Sequence, residues 1–341
     1  MTAEIILHIG QHKTGSTSIQ KTLEAARDWL RSQGVLYPFS DVISHNHRSL
    51  APAVFDFDQS GLKYRMGTNE AEALSLSDKE WEKVRVQFHP DIFHKVILSA
   101  EDFFEPIDLI RSERFRKKLC FDTSVTFRIL AYIRSPATFF MSRLQQNLRS
   151  GIPLPKPGIF DPLIKTLESY KRCFGQTPDV RPFEKGQLVS GDVVADFSSW
   201  IGYPSIAKDF RVNDANSSIS SEAMSVLFSM RAGSSVKNYD AVKRQRALVK
   251  VLRKLDAKLT DPTKPKLNND FASAINSANY DLIVLRDRYN VEFEDVDYMN
   301  VGKKSFKSDQ KIARIEDLCK VNADRRDMLA ARVKEVLYKT V

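Results

Sequence analysis

The sequence contains few cysteines and no long apolar run. Three cysteines occur in 341 residues, and Cys120, Cys173 and Cys319 have neither the spacing of a metal site nor that of a disulfide framework. No apolar stretch approaches the length of a membrane span. The N-terminus lacks a basic segment followed by a long hydrophobic one, so we expect no signal peptide. These features predict a cytoplasmic protein without a transmembrane segment.

The chain carries an excess of positive charge. Its 52 Lys and Arg residues against 43 Asp and Glu residues give a net charge of +9. This excess favours an anionic ligand, an acidic polymer or contact with an anionic membrane surface, without choosing among them. A basic segment could serve a non-enzymatic polyanion-binding protein, although a solvated helix face has the same spacing. Its basic residues are Lys243, Arg244, Arg246, Lys250, Arg253 and Lys254.

Short apolar runs predict a parallel sheet. The segments "EIILHIG", "KVILSA" and "SVTFRILAYI" have the continuous apolar character of strands buried on both faces. "VLYP" and "VRPFE" predict two shorter strands. Helical patterns follow several of these runs, so we expect an α/β fold in which helices flank a parallel sheet.

Helix signals complete the predicted organisation. A helix is expected between Gly15 and Gly34, a second one capped by Ser77, and a third one opening at Pro136, a residue suited to a first helical position. The chain is expected to form a single domain, with an α/β core over residues 1–212 and a mainly helical part over residues 213–341. At the C-terminus, "DRRDMLAARVKEVLYKT" predicts a helix docked by one apolar stripe.

The segment "HIGQHKTGSTSIQ" is similar to a nucleotide-triphosphate loop with its lysine displaced. Gly10 and Gly15 have the G-x-x-x-x-G spacing of that loop, and Thr17 stands at its final hydroxyl position. Ser16 occupies the position of the usual lysine, whereas Lys13 lies inside the loop. The expected ligand is therefore an anion that is not held as a kinase holds ATP.

The physical chemistry of this segment favours a phosphate-like ligand. A strand that enters a tight loop and then a helix directs backbone N–H groups and the positive helix end at one point. Gly15 permits close approach of the backbone, and Ser16, Thr17 and Ser18 add hydroxyl donors. Lys13 adds a point charge.

A second motif, "LAYIRSPATFFMSRLQQ", has a similar strand-to-helix context. Arg134 directly follows the apolar strand, and Ser142 lies eight residues later in the helix that Pro136 opens. The planar guanidinium of arginine suits phosphate oxygens. On its own, this pattern is explained better by a surface charge at a strand end and a filler residue on the helix.

The first loop, His12-Lys13-Thr14-Gly15-Ser16-Thr17-Ser18, resembles the 5′-phosphosulfate loop of the sulfotransferases that use 3′-phosphoadenosine 5′-phosphosulfate (PAPS), especially bacterial carbohydrate-type members. The resemblance covers about residues 4–20 and 125–150. It implies a P-loop-kinase-like fold and sulfuryl transfer without a required metal. It also implies that the loop holds the 5′-phosphate with Lys13 near the bridging oxygen, and that Arg134 and Ser142 hold the 3′-phosphate.

A late basic loop, "NVGKKSFK", is a further candidate for the nucleotide site. Members of this family close the site with a basic, glycine-containing loop, which implies a role for Gly302, Lys303 and Lys304. This segment departs from the usual Arg-rich pattern. An exposed basic turn explains it equally well.

Two residues are candidates for the general base. Glu101 follows the "KVILSA" strand, where the related enzymes carry a catalytic histidine or glutamate. Burial near bound anions is expected to raise its pKa, although a charge at the start of a helix is an equal explanation. His47 is the second candidate, because imidazole titrates near neutral pH. With His12 and His45 it forms no credible metal site, because the H-x-H spacing lacks an acidic partner.

The acceptor is expected to be a hydroxyl of a carbohydrate or glycolipid, with no specific nucleic-acid partner. A P-loop kinase that uses ATP is the alternative enzyme, since Glu101 or Asp102 could organise magnesium. The serine at position 16 argues against it. The sequence leaves the identity of the acceptor and the oligomeric state open.

Overall fold

A computed structural model of the protein describes residues 2–57, 62, 67–120, 124–212, 218–231, 239–303 and 312–338. Five parallel strands form one sheet in the order β2-β3-β1-β4-β5. The strands are β1 (Thr2–Gly10), β2 (Val35–Leu36), β3 (Lys95–Ser99), β4 (Ser124–Ile133) and β5 (Asp179–Pro182). This architecture confirms the predicted α/β fold class, and the P-loop-kinase-like identity stays a prediction.

Helices connect and follow the strands within the described residues. They are α1 (Ser16–Ala25), α2 (Arg27–Ser32), α3 (Glu70–Gln87), α4 (Leu109–Lys118), α5 (Pro136–Ser150), α6 (Leu163–Phe174), α7 (Val193–Trp200), α8 (Ser205–Asp209), α9 (Ser221–Arg231), α10 (Tyr239–Asp256), α11 (Asn269–Ser277), α12 (Asp281–Tyr289) and α13 (Ala323–Tyr338). The single helix expected after Gly15 is divided at Ala26 into α1 and α2. Helix α5 begins at Pro136 as predicted, with Ser135 as its N-cap.

The predicted capping role of Ser77 is wrong. Helix α3 begins seven residues earlier, where the Asn69 side chain accepts a hydrogen bond from the Glu72 N–H at 2.9 Å. The Ser77 hydroxyl is buried inside the helix, donates to the Leu50 carbonyl at 3.0 Å and accepts from the Ala53 N–H at 3.0 Å. The local sequence does not show whether a serine hydroxyl caps a helix or forms hydrogen bonds with a neighbouring segment.

The chain divides into two compact units. The first comprises residues 1–134, 161–214 and 284–293, and the second comprises residues 135–160, 215–283 and 294–341. Helix α5 belongs to the second unit, although it follows β4 directly. Among the helices that the structure describes, none combines the length and the apolar character that crossing a bilayer requires.

In the first unit, helices cover both faces of the sheet. On one face, Ile6 of β1 and Leu130 of β4 share a core with Leu23 of α1 and Phe197 of α7. Side chains alternate between the faces of a strand, so Phe127 of β4 points to the other face, where its ring lies 4.7 Å from that of Phe174 in α6. The central strand β1 is therefore enclosed on both sides.

The second unit is helical around its own apolar core. A buried arginine, Arg325, lies 3.1 Å from the Glu222 carboxylate and 2.8 Å from the Asp256 carboxylate. Of the predicted stripe in α13, Leu329 and Val333 are buried, whereas Met328 and Val336 are exposed. The side chain of Leu337, its fifth member, lies outside the described residues.

The two glycines Gly15 and Gly175 give a direct test of packing at the start of α1. Both have a left-handed φ, +79° and +69°. A Cβ at Gly15 would lie 2.8 Å from Val193 Cγ1, whereas a Cβ at Gly175 meets nothing within 4 Å. We expect Gly175→Ala to cost about 1 kcal/mol through its backbone alone, and Gly15→Ala to cost about 2–4 kcal/mol because overlap is added.

Urea denaturation of both variants measures this difference in the free energy of unfolding. Equal losses in the two variants would mean that the start of α1 is not packed against Val193 as described.

Candidate functional site

The loop after β1 lies at a reversal of the strand order. Strand β1 stands between β3 and β4; the chain continues from β1 to one side of the sheet and from β4 to the other. Ligands of open parallel sheets bind outside the carboxyl ends of the strands at such a reversal. Lys13 follows β1 and Arg134 follows β4, so both predicted anion-binding residues stand at this position.

The loop backbone is held tightly between the strands. The Gln11 N–H donates to the Tyr132 carbonyl of β4 at 2.8 Å, and the Thr14 hydroxyl donates to the Gln11 carbonyl at 2.6 Å. A Cβ at Gly10 would lie 3.1 Å from the Glu101 Cα. The Thr14 side chain therefore supports the loop, and the glycine lets the segments after β1 and β3 approach each other.

The first turn of α1 presents donors and no acid. Gly15 is its N-cap without a capping side chain, and the first turn contains no Asp or Glu. Ser16 is 3 % exposed, and its hydroxyl has no hydrogen-bond partner within the part of the chain that the structure describes. Buried hydroxyls are rarely left unpaired, and the N-terminus of a helix attracts anions. Thr17 and Ser18 lie in the same turn, as predicted.

Arg134 belongs to the same site as Lys13. Its Nε donates to the Lys13 carbonyl at 2.6 Å, and its backbone N–H donates to the Gln11 side-chain oxygen at 3.2 Å. The guanidinium lies 4.4 Å from the centre of the Phe183 ring. Burial lowers the pKa of Arg134 to about 10, and no carboxylate among the described residues pairs with it. A half-buried cation without a counter-charge favours an anionic ligand.

Glu101 lies among positive groups, which corrects the raised pKa expected from the sequence. Its Oε1 lies 3.4 Å from His12 Nδ1 and 3.4 Å from Arg48 Nη2. Burial by itself raises its pKa, but the His12 hydrogen bond and the charges of His12, Arg48 and Lys13 outweigh burial and lower the pKa to about 2. The carboxylate is therefore ionised at neutral pH. The expectation failed because the sequence did not reveal His12 and Arg48 as neighbours of this carboxylate.

His47 does not have the properties of a general base. It is 2 % exposed. Its Nδ1 accepts from the Ser99 N–H at 3.0 Å, which leaves Nε2 to donate to the Pro38 carbonyl, also at 3.0 Å. Burial lowers its pKa to about 4. Because both ring nitrogens serve the backbone, we withdraw His47 from the catalytic candidates.

A cavity of about 210 Å³ opens beside the loop in the first unit. Most of its lining is polar, and it includes Thr17, Gln20, Asn46, Arg48, Glu101 and Asp102. Sequence reasoning missed Gln20, Asn46 and Arg48. The segment around Asn46 and Arg48 has no regular period, and Gln20 has the helical position of a filler, so no local signal identified them.

Beneath the loop lies a buried polar group that was also missed. His8 of β1 makes a 2.7 Å hydrogen bond with the Ser99 hydroxyl, and burial lowers the His8 pKa to about 4. The Gln20 amide donates to the same hydroxyl at 3.1 Å and to the Ser99 carbonyl at 3.3 Å. These contacts join the central strands to α1.

The remaining predicted ligands lie in the second unit. Ser142 is half-buried on α5. Gly302 has a φ of +81°, and its N–H donates to the Ser277 carbonyl at 2.7 Å, whereas Lys303 is exposed. Their roles toward a nucleotide stay predictions. Lys304 lies outside the described residues, and so do the side chains of Lys243, Arg244 and Arg246.

The two buried histidines predict a pH-dependent stability. The pKa values of His8 and His47 are about 4 in the folded chain against 6.5 normally. The unfolded chain therefore takes up protons first, and the free energy of unfolding falls as the pH drops from 6.5 toward 5. Each histidine contributes at most about 1.4 kcal/mol per pH unit. The pKa of Glu101 lies below this window.

Urea denaturation at several pH values measures this slope. His47→Gln should make it shallower, while His89→Gln, at an exposed residue, should leave it unchanged. An equal slope in the wild type and in His47→Gln contradicts the neutral, buried state of His47.

No protein family model matches this sequence, and no curated protein matches it at a significant level. What the site can do therefore follows from its own residues. The loop after β1 combines helix N–H groups, the Ser16 hydroxyl and the Arg134 guanidinium. The cavity beside it contains an ionised carboxylate. The arrangement can hold an anion at the loop and a hydrogen-bond donor in the cavity.

Proposed function

We propose that the protein is a sulfotransferase that moves the sulfuryl group of PAPS to a hydroxyl, on a carbohydrate or glycolipid. The contact between Arg134 and Lys13 supports this proposal, because it brings residues of the two sequence motifs next to each other. A donor with phosphate groups at both ends of one nucleoside requires two such motifs. The proposal also accounts for the displaced lysine of the loop.

The residues of the loop fit the donor. The Ser16 hydroxyl, the first-turn N–H groups of α1 and Lys13 would hold the 5′-phosphosulfate, since each offers a donor or a positive charge. Because Gly15 has no Cβ, the backbone of the loop can lie against Val193 without overlap. The Nε of Arg134 donates to the Lys13 carbonyl, so its two Nη groups would hold the 3′-phosphate. Ser142 is the predicted second ligand of that phosphate.

Positioning of the reactants and stabilisation of charge would supply most of the rate acceleration. Sulfuryl transfer is expected to resemble phosphoryl transfer, in which the protein does little covalent chemistry. Negative charge develops on the departing phosphate, and Lys13 lies in the loop that would hold that group. Its left-handed φ of +69° fixes the turn from which the side chain extends. Lys13 is therefore the proposed leaving-group stabiliser.

Glu101 is the proposed group that receives the acceptor proton. The carboxylate lines the cavity and is ionised, so it can accept a hydrogen bond from a hydroxyl. A pKa of about 2 makes it a weak base in this state. An anion bound at the loop would offset the positive charges of His12 and Lys13 and bring the pKa of Glu101 upward. Donor binding would thus strengthen the base when it is needed.

The alternative ATP-dependent kinase finds less support in these contacts. A magnesium-binding carboxylate has to offer its oxygens to the metal. Asp102 instead lies 2.8 Å from Arg48 Nε, and Glu101 is shared between Arg48 and His12. Both acids that could organise magnesium are thus already paired with protein cations.

Lys13→Ala tests the proposed chemistry. We expect at least a roughly 10²-fold loss in kcat for sulfuryl transfer from PAPS, because one stabilising donor is removed from the leaving group. Lys79→Ala, at an exposed lysine of α3, should retain normal transfer. Transfer of radiolabelled sulfate to a panel of sugars measures both variants, and the wild-type rate should be unchanged by a chelator.

Normal transfer by Lys13→Ala would refute the assigned role. ATP consumption that stops on chelation would favour the kinase.

Arg134→Lys tests the second anion site. Its guanidinium should bind a 3′-phosphate, so we expect the wild type to prefer adenosine 3′,5′-bisphosphate over adenosine 5′-phosphate. The variant should lose roughly tenfold or more of that preference, since a lysine cannot offer two parallel donors. Calorimetry with both nucleotides gives the ratio, and Arg114→Lys, at an exposed residue, is the control. An unchanged ratio would remove Arg134 from the 3′-phosphate site.

A further inference from the structure

Gln20, which lines the cavity beside the loop, uses its amide nitrogen for hydrogen bonds within the protein. The Gln20 amide nitrogen donates to the Ser99 carbonyl and hydroxyl at 3.3 and 3.1 Å. These two bonds use both hydrogens of the amide, so a ligand in contact with Gln20 can bond only to its carbonyl oxygen. Gln20 therefore offers the cavity an acceptor.

The guanidinium of Arg48, which also lines the cavity, is paired with carboxylates of the protein. Arg48 Nε lies 2.8 Å from Asp102 Oδ2, and Arg48 Nη2 lies 3.4 Å from Glu101 Oε1. The Asn46 side-chain oxygen accepts from the Arg48 backbone N–H at 3.1 Å, and the Asn46 nitrogen lies 3.5 Å from His45 Nε2. An anionic ligand would have to compete with two carboxylates for the guanidinium.

The accessible ionised group is the Glu101 carboxylate. Its side chain is 28 % exposed, whereas that of Asp102 is 1 % exposed. Among the Arg, Asp and Glu side chains of the lining, Arg48 carries one positive charge against the two negative charges of Glu101 and Asp102. His12, outside the lining, lies 3.4 Å from Glu101. The charges of His12 and Lys13 also act on Glu101, but under the proposed function the anionic donor meets them. The field in the cavity then has a negative sign.

The volume limits the size of the ligand. Pockets for drug-sized molecules occupy roughly 300–1,000 Å³, and this cavity of about 210 Å³ is smaller. One sugar ring or a compound of similar size is a suitable occupant. Apolar ligands fit poorly, since a buried polar lining loses free energy when its groups are left unpaired.

We infer that this cavity binds the acceptor through a hydroxyl-bearing unit of about one sugar ring that carries no negative charge, and that an ammonium group on this unit strengthens binding. The inference rests on the proposed function and narrows its acceptor class. Glu101 and Gln20 both accept hydrogen bonds, so the ligand has to supply donors. Glu101 is thus also a specificity-determining residue, because its charge repels a carboxylate or sulfate on the same ring.

Binding of three sugars of nearly equal size tests the inference, with saturating adenosine 3′,5′-bisphosphate in place of the donor so that the positive charges of the loop are met. The full-length protein is titrated with glucosamine, glucose and glucuronate, and binding is followed by calorimetry and by ligand-observed NMR. Glucosamine should bind most tightly and glucuronate most weakly, with a ratio of roughly tenfold or more between them.

Glu101→Gln should reduce this ratio to about threefold or less, since the accessible charge is removed while the shape is kept. Glu113→Gln, at an exposed carboxylate of α4, is the matched control and should keep the wild-type ratio. A thermal melt of each variant establishes that it is folded. Glucuronate binding equal to that of glucosamine, an unchanged ratio in Glu101→Gln, or no binding of any sugar would each overturn the inference.

Transfer from PAPS to the same three sugars is measured separately. Binding in the expected order without sulfuryl transfer would refute the proposed function but not the charge selectivity of the cavity. Transfer with a preference for glucuronate would refute the selectivity alone.

Discussion

The hydrogen bond from Arg134 Nε to the Lys13 carbonyl is the contact on which the site depends. It ties the residue after β4 to the loop after β1, at the position where the strand order reverses. Half-buried and without a carboxylate partner among the described residues, Arg134 orients the loop and keeps a positive charge beside it. A guanidinium can do both, because its five donors point in fixed directions and one hydrogen bond uses only one of them.

The surroundings of this contact separate two electrostatic regions. At the loop, Arg134, the start of α1 and the Ser16 hydroxyl, which has no partner among the described residues, favour negative charge. In the cavity, Arg48 is paired with Asp102 and Glu101, so hydrogen-bond acceptor atoms remain for a ligand. Glu101 belongs to both regions, since the charges of the loop lower its pKa and its oxygens line the cavity. The anionic sulfuryl donor and an acceptor substrate that donates hydrogen bonds would therefore meet at Glu101.

The histidines show why residue type alone is weak information about chemistry. His47 and His8 lie near the loop, and an imidazole is a common catalytic base. Both are buried, and His47 uses its two nitrogens to hold Ser99 and Pro38. Burial keeps them neutral, because an apolar environment disfavours the charged ring. Their role is to fix the strand ends from which the loop and Glu101 extend.

The sequence by itself determined the strands, the helix starts at Ser16 and Pro136, and the two motifs that contain Lys13 and Arg134. These features are local, since apolar runs, glycine spacing and a proline at a first helical position act over a few residues. Only the tertiary structure decided the pKa of Glu101, the withdrawal of His47 and the lining of the cavity. Arg48 is 53 residues from Glu101 along the chain, and no local pattern records a neighbour at that separation. Charge and burial depend on which segments the sheet brings together, so the direction of a pKa shift follows from the fold.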